Sequence, residues 1–191
     1  MLGSASPRRR DLLGRTGLPF TIRPVDIDES LAPGEPAEQA AARLALAKAR
    51  AAGPLDDTTA LITADTLVAL DDLVLGKPAD QAQARWMLTR LAGKEHRVVT
   101  GFVLRYGGHL HSGLAVTAVR FRRLSDPEVE AYLATGEPMG KAGAYAIQGT
   151  GAALVTEVRG SYTNVVGLPL AAVVKMLLTH RVIEPQQERQ P

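Results

Sequence analysis

Two hydrophobic periods alternate along the chain. Ala84, Met87, Leu88 and Leu91 stand at i, i+3, i+4 and i+7, one apolar stripe that predicts a helix over 81–92. Asp80 is placed to cap its start and Gly93 to end it. Leu170, Val173, Val174, Leu177 and Leu178 repeat the pattern behind Pro169 and predict a helix over 169–181. The Ala-rich stretch 36–52, with Pro36 at its start, favours helix because Ala loses almost no side-chain freedom there. Ser125-Asp126-Pro127-Glu128 is a capping box that opens a helix over 126–135, closed at Gly136. Ser6 and Pro7 start a shorter one over 7–16. Elsewhere the period is two. The β-branched, apolar run 61–70 reads as a buried central strand. Residues 97–106 and 109–123 flank Gly107-Gly108, a hairpin signal. On the second of these strands Ala115, Thr117, Val119 and Phe121 share one face, and Arg120 and Arg122 the other. Residues 152–159 predict a further strand. Helices and strands thus interleave, which predicts an α/β fold with a mixed sheet containing at least one antiparallel pair.

Composition narrows the classes. With 191 residues, 46% apolar and 22% charged, the chain can bury a core and is not disordered. The expected organisation is a single domain over 1–183, followed by a polar, disordered tail at 184–191. No apolar stretch approaches the ~18 residues of a membrane span, so no membrane partner is expected. There is no cysteine, which excludes disulfides and thiolate metal sites. A formal charge of +2 leaves no electrostatic footprint for nucleic acid. The Arg-rich start MLGSASPRRR lacks the apolar region of a leader and meets Asp11 at once, so it is assigned to the fold.

Five segments could carry chemistry. Gly3-Ser-Ala-Ser-Pro-Arg-Arg-Arg10 is a Ser-rich turn entering a helix, where free N–H groups and Arg8, Arg9 and Arg10 suit an anion. Asp65 interrupts the apolar run 61–70; a carboxylate buried there needs a partner, and it could hold a divalent cation or accept a proton from water. Gly76-Lys77-Pro78 projects one cation from a turn, and Lys48 lies on the Ala-rich helix; neither is distinctive alone. Residues 141–149 carry Gln148, whose amide both donates and accepts, within a Gly-rich loop. Residues 160–169 form a loop leading into the last helix. The P-loop, the dinucleotide fingerprint, the HExxH helix and the GxSxG elbow are all missing. His109 and His111 beside the Gly-Gly turn read as an exposed hairpin rather than a metal site.

Taken together, SASPRRRDLL (4–13), LALAKAR (44–50), TADTLV (63–68), GKP (76–78), KAGAYAIQG (141–149) and GSYTNVVGLPL (160–170) resemble, in order and spacing, the Maf family of nucleoside triphosphate pyrophosphatases. The resemblance implies a fold similar to inosine triphosphate pyrophosphatase: a twisted mixed sheet flanked by helices, with a cleft between two lobes. It implies hydrolysis of a nucleoside triphosphate, aided by Mg²⁺ or Mn²⁺, in the cytoplasm, and suggests a homodimer. Asp65 falls on the family's proton acceptor. Arg8, Thr66 and Gln148 fall on the positions linked to base choice, with the residue types of the dTTP/UTP branch. Ser6, Arg9, Lys48 and Lys77 are the candidates for the phosphates, whose charge needs several cations to offset it. Glu29 matches an acidic stretch and, with Asp65, is a candidate metal ligand. Two alternatives stay open: a non-enzymatic nucleotide-binding regulator of septum formation, and a purine triphosphate pyrophosphatase of the ITP/XTP type. Only Met1 and Leu2 precede Gly3, so either the first strand is expected to be short or the true start is expected upstream.

Overall fold

The computed structural model describes residues 1–184. The expected tail lies outside that range except for Glu184. The chain runs α1 (Pro7–Gly14), α2 (Ala37–Ala51), β1 (Leu61–Leu70), β2 (Leu73–Leu75), α3 (Gln81–Leu91), β3 (Glu95–Tyr106), β4 (His109–Phe121), α4 (Asp126–Ala134), β5 (Val155–Arg159), α5 (Tyr162–Val166) and α6 (Leu170–Thr179). The α/β class holds. So do the five predicted helices, within one or two residues at each end.

The sheet has five strands in the order β2-β1-β3-β4-β5. The expectation of a mixed sheet is corrected, because every strand pairs antiparallel with its neighbours. Tight turns at Asp71-Asp72 and Gly107-Gly108 make two of the pairs hairpins, and α3 returns the chain to the end where β1 stopped. β3 therefore enters running the other way, with Ala69 opposite Arg97 and Leu61 opposite Arg105. Among the described residues, parallel pairing is confined to the isolated bridges of Leu2 with Ile22 and Ile62. The strand expected over 152–159 is shorter, since a 3₁₀ turn takes Thr150–Leu154. β4 ends at Phe121 rather than 123. The loop expected over 160–169 contains α5.

Local chemistry fixes the ends of the helices. Asp80 accepts from Gln83 N at 2.7 Å, and the Ser125 N–H donates to the Glu128 carboxylate at 2.8 Å. One face of the sheet is covered by α2, which buries Ala37, Ala40, Ala41, Leu44, Ala45 and Ala49. Small side chains are required there because the α2 backbone sits almost on the sheet. A Cβ built on Gly101 of β3 would lie 2.3 Å from the Ala41 carbonyl oxygen.

On the opposite face the core divides. One apolar cluster gathers Val68, Leu88, Val98, Phe121 and Leu133; the other gathers Leu2, Leu12, Ile62, Phe102 and Leu168. Between them lies a polar row. Thr66 and Thr100 face each other across β1 and β3, with 2.9 Å between hydroxyls. Thr117 of β4 receives Asn164 Nδ2 from α5 at 3.0 Å. No described helix is long and apolar enough to cross a membrane.

Candidate active site

β1 has a free margin. On its outer side Leu2 bridges Ile62 and β2 pairs only from Val68 onward, so among the described residues no strand pairs with 64–67 on that edge. A cleft of about 810 Å³ opens there. Asp65 and Thr66 point to opposite faces of the sheet, as neighbours in a strand must, yet both line this cleft because it wraps the strand's edge.

Asp65 is 6% exposed and lies on the face covered by α2. There Lys48, also 6% exposed, donates to Asp65 Oδ1 at 2.5 Å and to Glu29 Oε1 at 2.6 Å. Glu29 in turn accepts from Lys77 at 2.8 Å through Oε2. The cleft floor is therefore a chain of alternating charge, Lys77–Glu29–Lys48–Asp65. Burial works against the charge of Glu29, but hydrogen bonds and field from Lys48 and Lys77 outweigh it and hold the carboxyl down at about 2.

On the other side of β1 the Arg9 guanidinium is woven into the fold. Its Nε donates to the Gly167 carbonyl at 2.8 Å, one terminal nitrogen to Thr66 Oγ1 at 3.0 Å and the other to Ser4 Oγ at 3.3 Å. Burial lowers its pKa, and the charge of Asp65 opposes that shift. Ser6 caps α1, accepting from Arg9 N at 3.5 Å. Arg8, next to it, makes no side-chain hydrogen bond among the described residues, and burial lowers its pKa too.

Gln148 also lines the cleft, exposed, in the loop between two short 3₁₀ turns. Tyr145 pins that loop to the sheet: it is buried, 2.9 Å from His96 Nε2, and edge-on to Phe121. Thus Ser6, Arg8, Arg9, Glu29, Lys48, Asp65, Thr66, Lys77 and Gln148 all line one cleft. Sequence reasoning did not single out Lys141, which also lines it and donates to the Glu137 carbonyl at 2.6 Å. Its position at the head of the Gln148 loop was the available signal. His109 and His111 lie away from the cleft, with the His111 ring stacked at 3.4 Å on His180.

Asp65 and Glu29 converge on one ammonium from two sides, so two hard oxygen donors already meet at one point. That set suits Mg²⁺ or Mn²⁺, which bind through one or two carboxylates and complete their shell with phosphate oxygens and water. Asp65 and Glu29 could offer such an ion only the oxygens that Lys48 does not occupy, and among the described residues no group of three or more His, Asp or Glu gathers for a metal. The same cleft is also lined by Arg8, Arg9 and Lys141, and by the Gln148 loop. The arrangement can hold a polyanion over the carboxylates and a polar ring against an amide.

The chain matches the family described as Maf-like protein over residues 1–180. It is 46% identical over 177 residues to a protein of Symbiobacterium thermophilum named dTTP/UTP pyrophosphatase, covering 93% of this chain and 91% of that one. Proteins of the same name from Anaeromyxobacter dehalogenans, 49% identical over 181 residues with 93% and 91% covered, and Moorella thermoacetica, 50% identical over 179 residues with 93% and 92% covered, are similar to it to the same degree.

Proposed function

The chain belongs to the Maf family, and from that premise we propose that it is a pyrophosphatase hydrolysing dTTP and UTP to the monophosphate and pyrophosphate. The observation that carries the reading is the convergence of Arg8, Asp65, Lys77 and Gln148, from four separate segments, on one cleft with paired carboxylates at its floor.

Asp65 takes the proton of the water that attacks the α-phosphorus, as the bond to the bridging oxygen breaks and pyrophosphate leaves. Lys48 fixes Asp65 through one carboxylate oxygen and leaves the other for that proton. Arg8, Arg9, Ser6 and Lys77 surround the phosphates, and Lys48 adds charge at the α end. A divalent cation held by Asp65 and Glu29 would polarise the phosphoryl oxygens when bound. Gln148 meets the O4 and N3–H edge of uracil or thymine, donating to the first and accepting from the second. Thr66, held by Arg9 and Thr100, gives the ring a fixed floor. A two-lobed arrangement similar to inosine triphosphate pyrophosphatase and a cytoplasmic location belong to the same proposal, and membership of the Maf family is what supports them.

A panel of nucleoside triphosphates with Mg²⁺ or Mn²⁺ and identification of products tests this reading. dTTP and UTP should yield monophosphate and pyrophosphate at the highest kcat/KM. Absence of pyrophosphate from both would overturn it, and preference for ITP would replace it with a purine specificity.

A further inference from the structure

Glu137 follows α4 and is not part of the cleft wall, yet its carboxylate organises the loop that is. Oε1 accepts from the Gly151 N–H at 2.8 Å and from the Tyr132 hydroxyl at 2.8 Å. Oε2 accepts from the Thr150 N–H at 2.9 Å. Two successive amides therefore close on one anion, immediately after Gln148 and Gly149. Tyr132 continues the network by accepting from the Ala146 N–H at 3.1 Å. The backbone on both sides of Gln148 is thus tied, directly or through one phenol, to the same carboxylate. Burial disfavours the charge of Glu137, but the Gly151 amide, the Tyr132 hydroxyl and the Thr150 amide outweigh it and lower its pKa. The fit is tight: a Cβ on Gly149 would lie 2.0 Å from Glu137 Oε2. Gly149 has φ −111°, so the loop needs glycine there for space and not for a left-handed backbone.

We propose that Glu137 is the positioning residue of the base-reading loop: its carboxylate, docked on the Thr150 and Gly151 amides, sets where the Gln148 amide sits and so sets selectivity for the pyrimidine ring. This rests on the reading of Gln148 as the group that meets the base. The carboxylate does not line the cleft, whereas Gln148 does, so its effect on selectivity is carried by the loop it anchors. Glu137→Gln is nearly isosteric but turns an –NH₂ toward N–H donors, which breaks the clasp without emptying the site.

The test combines kinetics with amide exchange. For Glu137→Gln, KM for dTTP and UTP should rise about tenfold while kcat stays within about threefold, and the preference for UTP over CTP should narrow about tenfold, the worth of one well-placed hydrogen bond. Hydrogen exchange at Thr150 and Gly151 should accelerate while exchange across β1 and β3 is unchanged. Gly149→Ala, which keeps the carboxylate but pushes it off its amides, should give the same signature; it serves as the second variant if Glu137→Gln fails to fold. Equal loss of kcat for every nucleotide, with the UTP preference intact, would overturn the proposal, as would accelerated exchange with unchanged selectivity. A wild-type protein that hydrolyses pyrimidine triphosphates without preferring UTP to CTP would instead overturn the reading of Gln148 on which it rests.

Discussion

Lys48 shows how much one side chain can carry at this site. It is almost wholly buried, and both of its described partners are carboxylates; without it two anions face each other in the cleft floor. Lys48→Met should therefore lower both stability and turnover, because an uncompensated buried charge costs several kcal/mol. Asp65→Asn separates the two effects. It keeps the shape and removes the proton acceptor, so kcat should fall about 10³-fold, within the range for a lost general base, while calorimetry should still show dTTP binding. Retention of full turnover would remove Asp65 from its role. These residues differ in how far the sequence exposes them. Asp65 is legible because a carboxylate inside an apolar strand demands a partner. Lys48 is legible only through the resemblance of its segment to the family, since a helical Lys looks alike on any face and gains its physical meaning from α2 lying across β1. Glu137 gives no signal, because its partners are backbone amides, which are the same in every residue.

The elements were legible where their period was long. α3 and α6 announce themselves over three turns, and β1 over its ten residues. β2 and α5, with three and five residues, are too short for any period to emerge, and their existence is decided by what they pack on. Strand direction was also beyond the pattern, since alternation along a strand is identical in parallel and antiparallel pairs; Gly107-Gly108 was the local hint that was read, and it fixed the direction of one pair only. The Ala-rich face of α2 reads from sequence as helix propensity alone, whereas the structure gives it a second cause in its close approach to Gly101. Gly101→Ala should force α2 off the sheet and destabilise the protein by about 2 kcal/mol, in the range for overpacking, read as a lower urea midpoint. Since Lys48 rides on the same helix, the variant should also lose dTTP turnover beyond what its loss of stability explains.

At the scale of the molecule, two apolar clusters meet at a row of threonines, and one buried histidine contributes to how the whole tolerates acid. His96 is buried against Phe121 and Tyr145, and that burial pushes its pKa down from 6.5 to about 4. The folded state thus resists a proton that the unfolded chain accepts below pH 6.5, so stability is full above that value and drains away as pH falls toward 4. The loss should total about 3 kcal/mol, visible as falling urea midpoints between pH 7 and 4. His96→Gln should be less stable at pH 7 but should lose most of that slope. His111, pushed down by burial and by His180 and His109, adds to the trend in the same direction. The free margin of β1 has its own result at this scale. A bare strand border usually invites a foreign backbone to zip onto it and seed aggregates. In this protein residues of the segments 25–31 and 140–148 join that border in lining a cleft of about 810 Å³, so the border faces a walled inlet that suits a small polyanion. The vulnerable seam of the sheet has become its harbour.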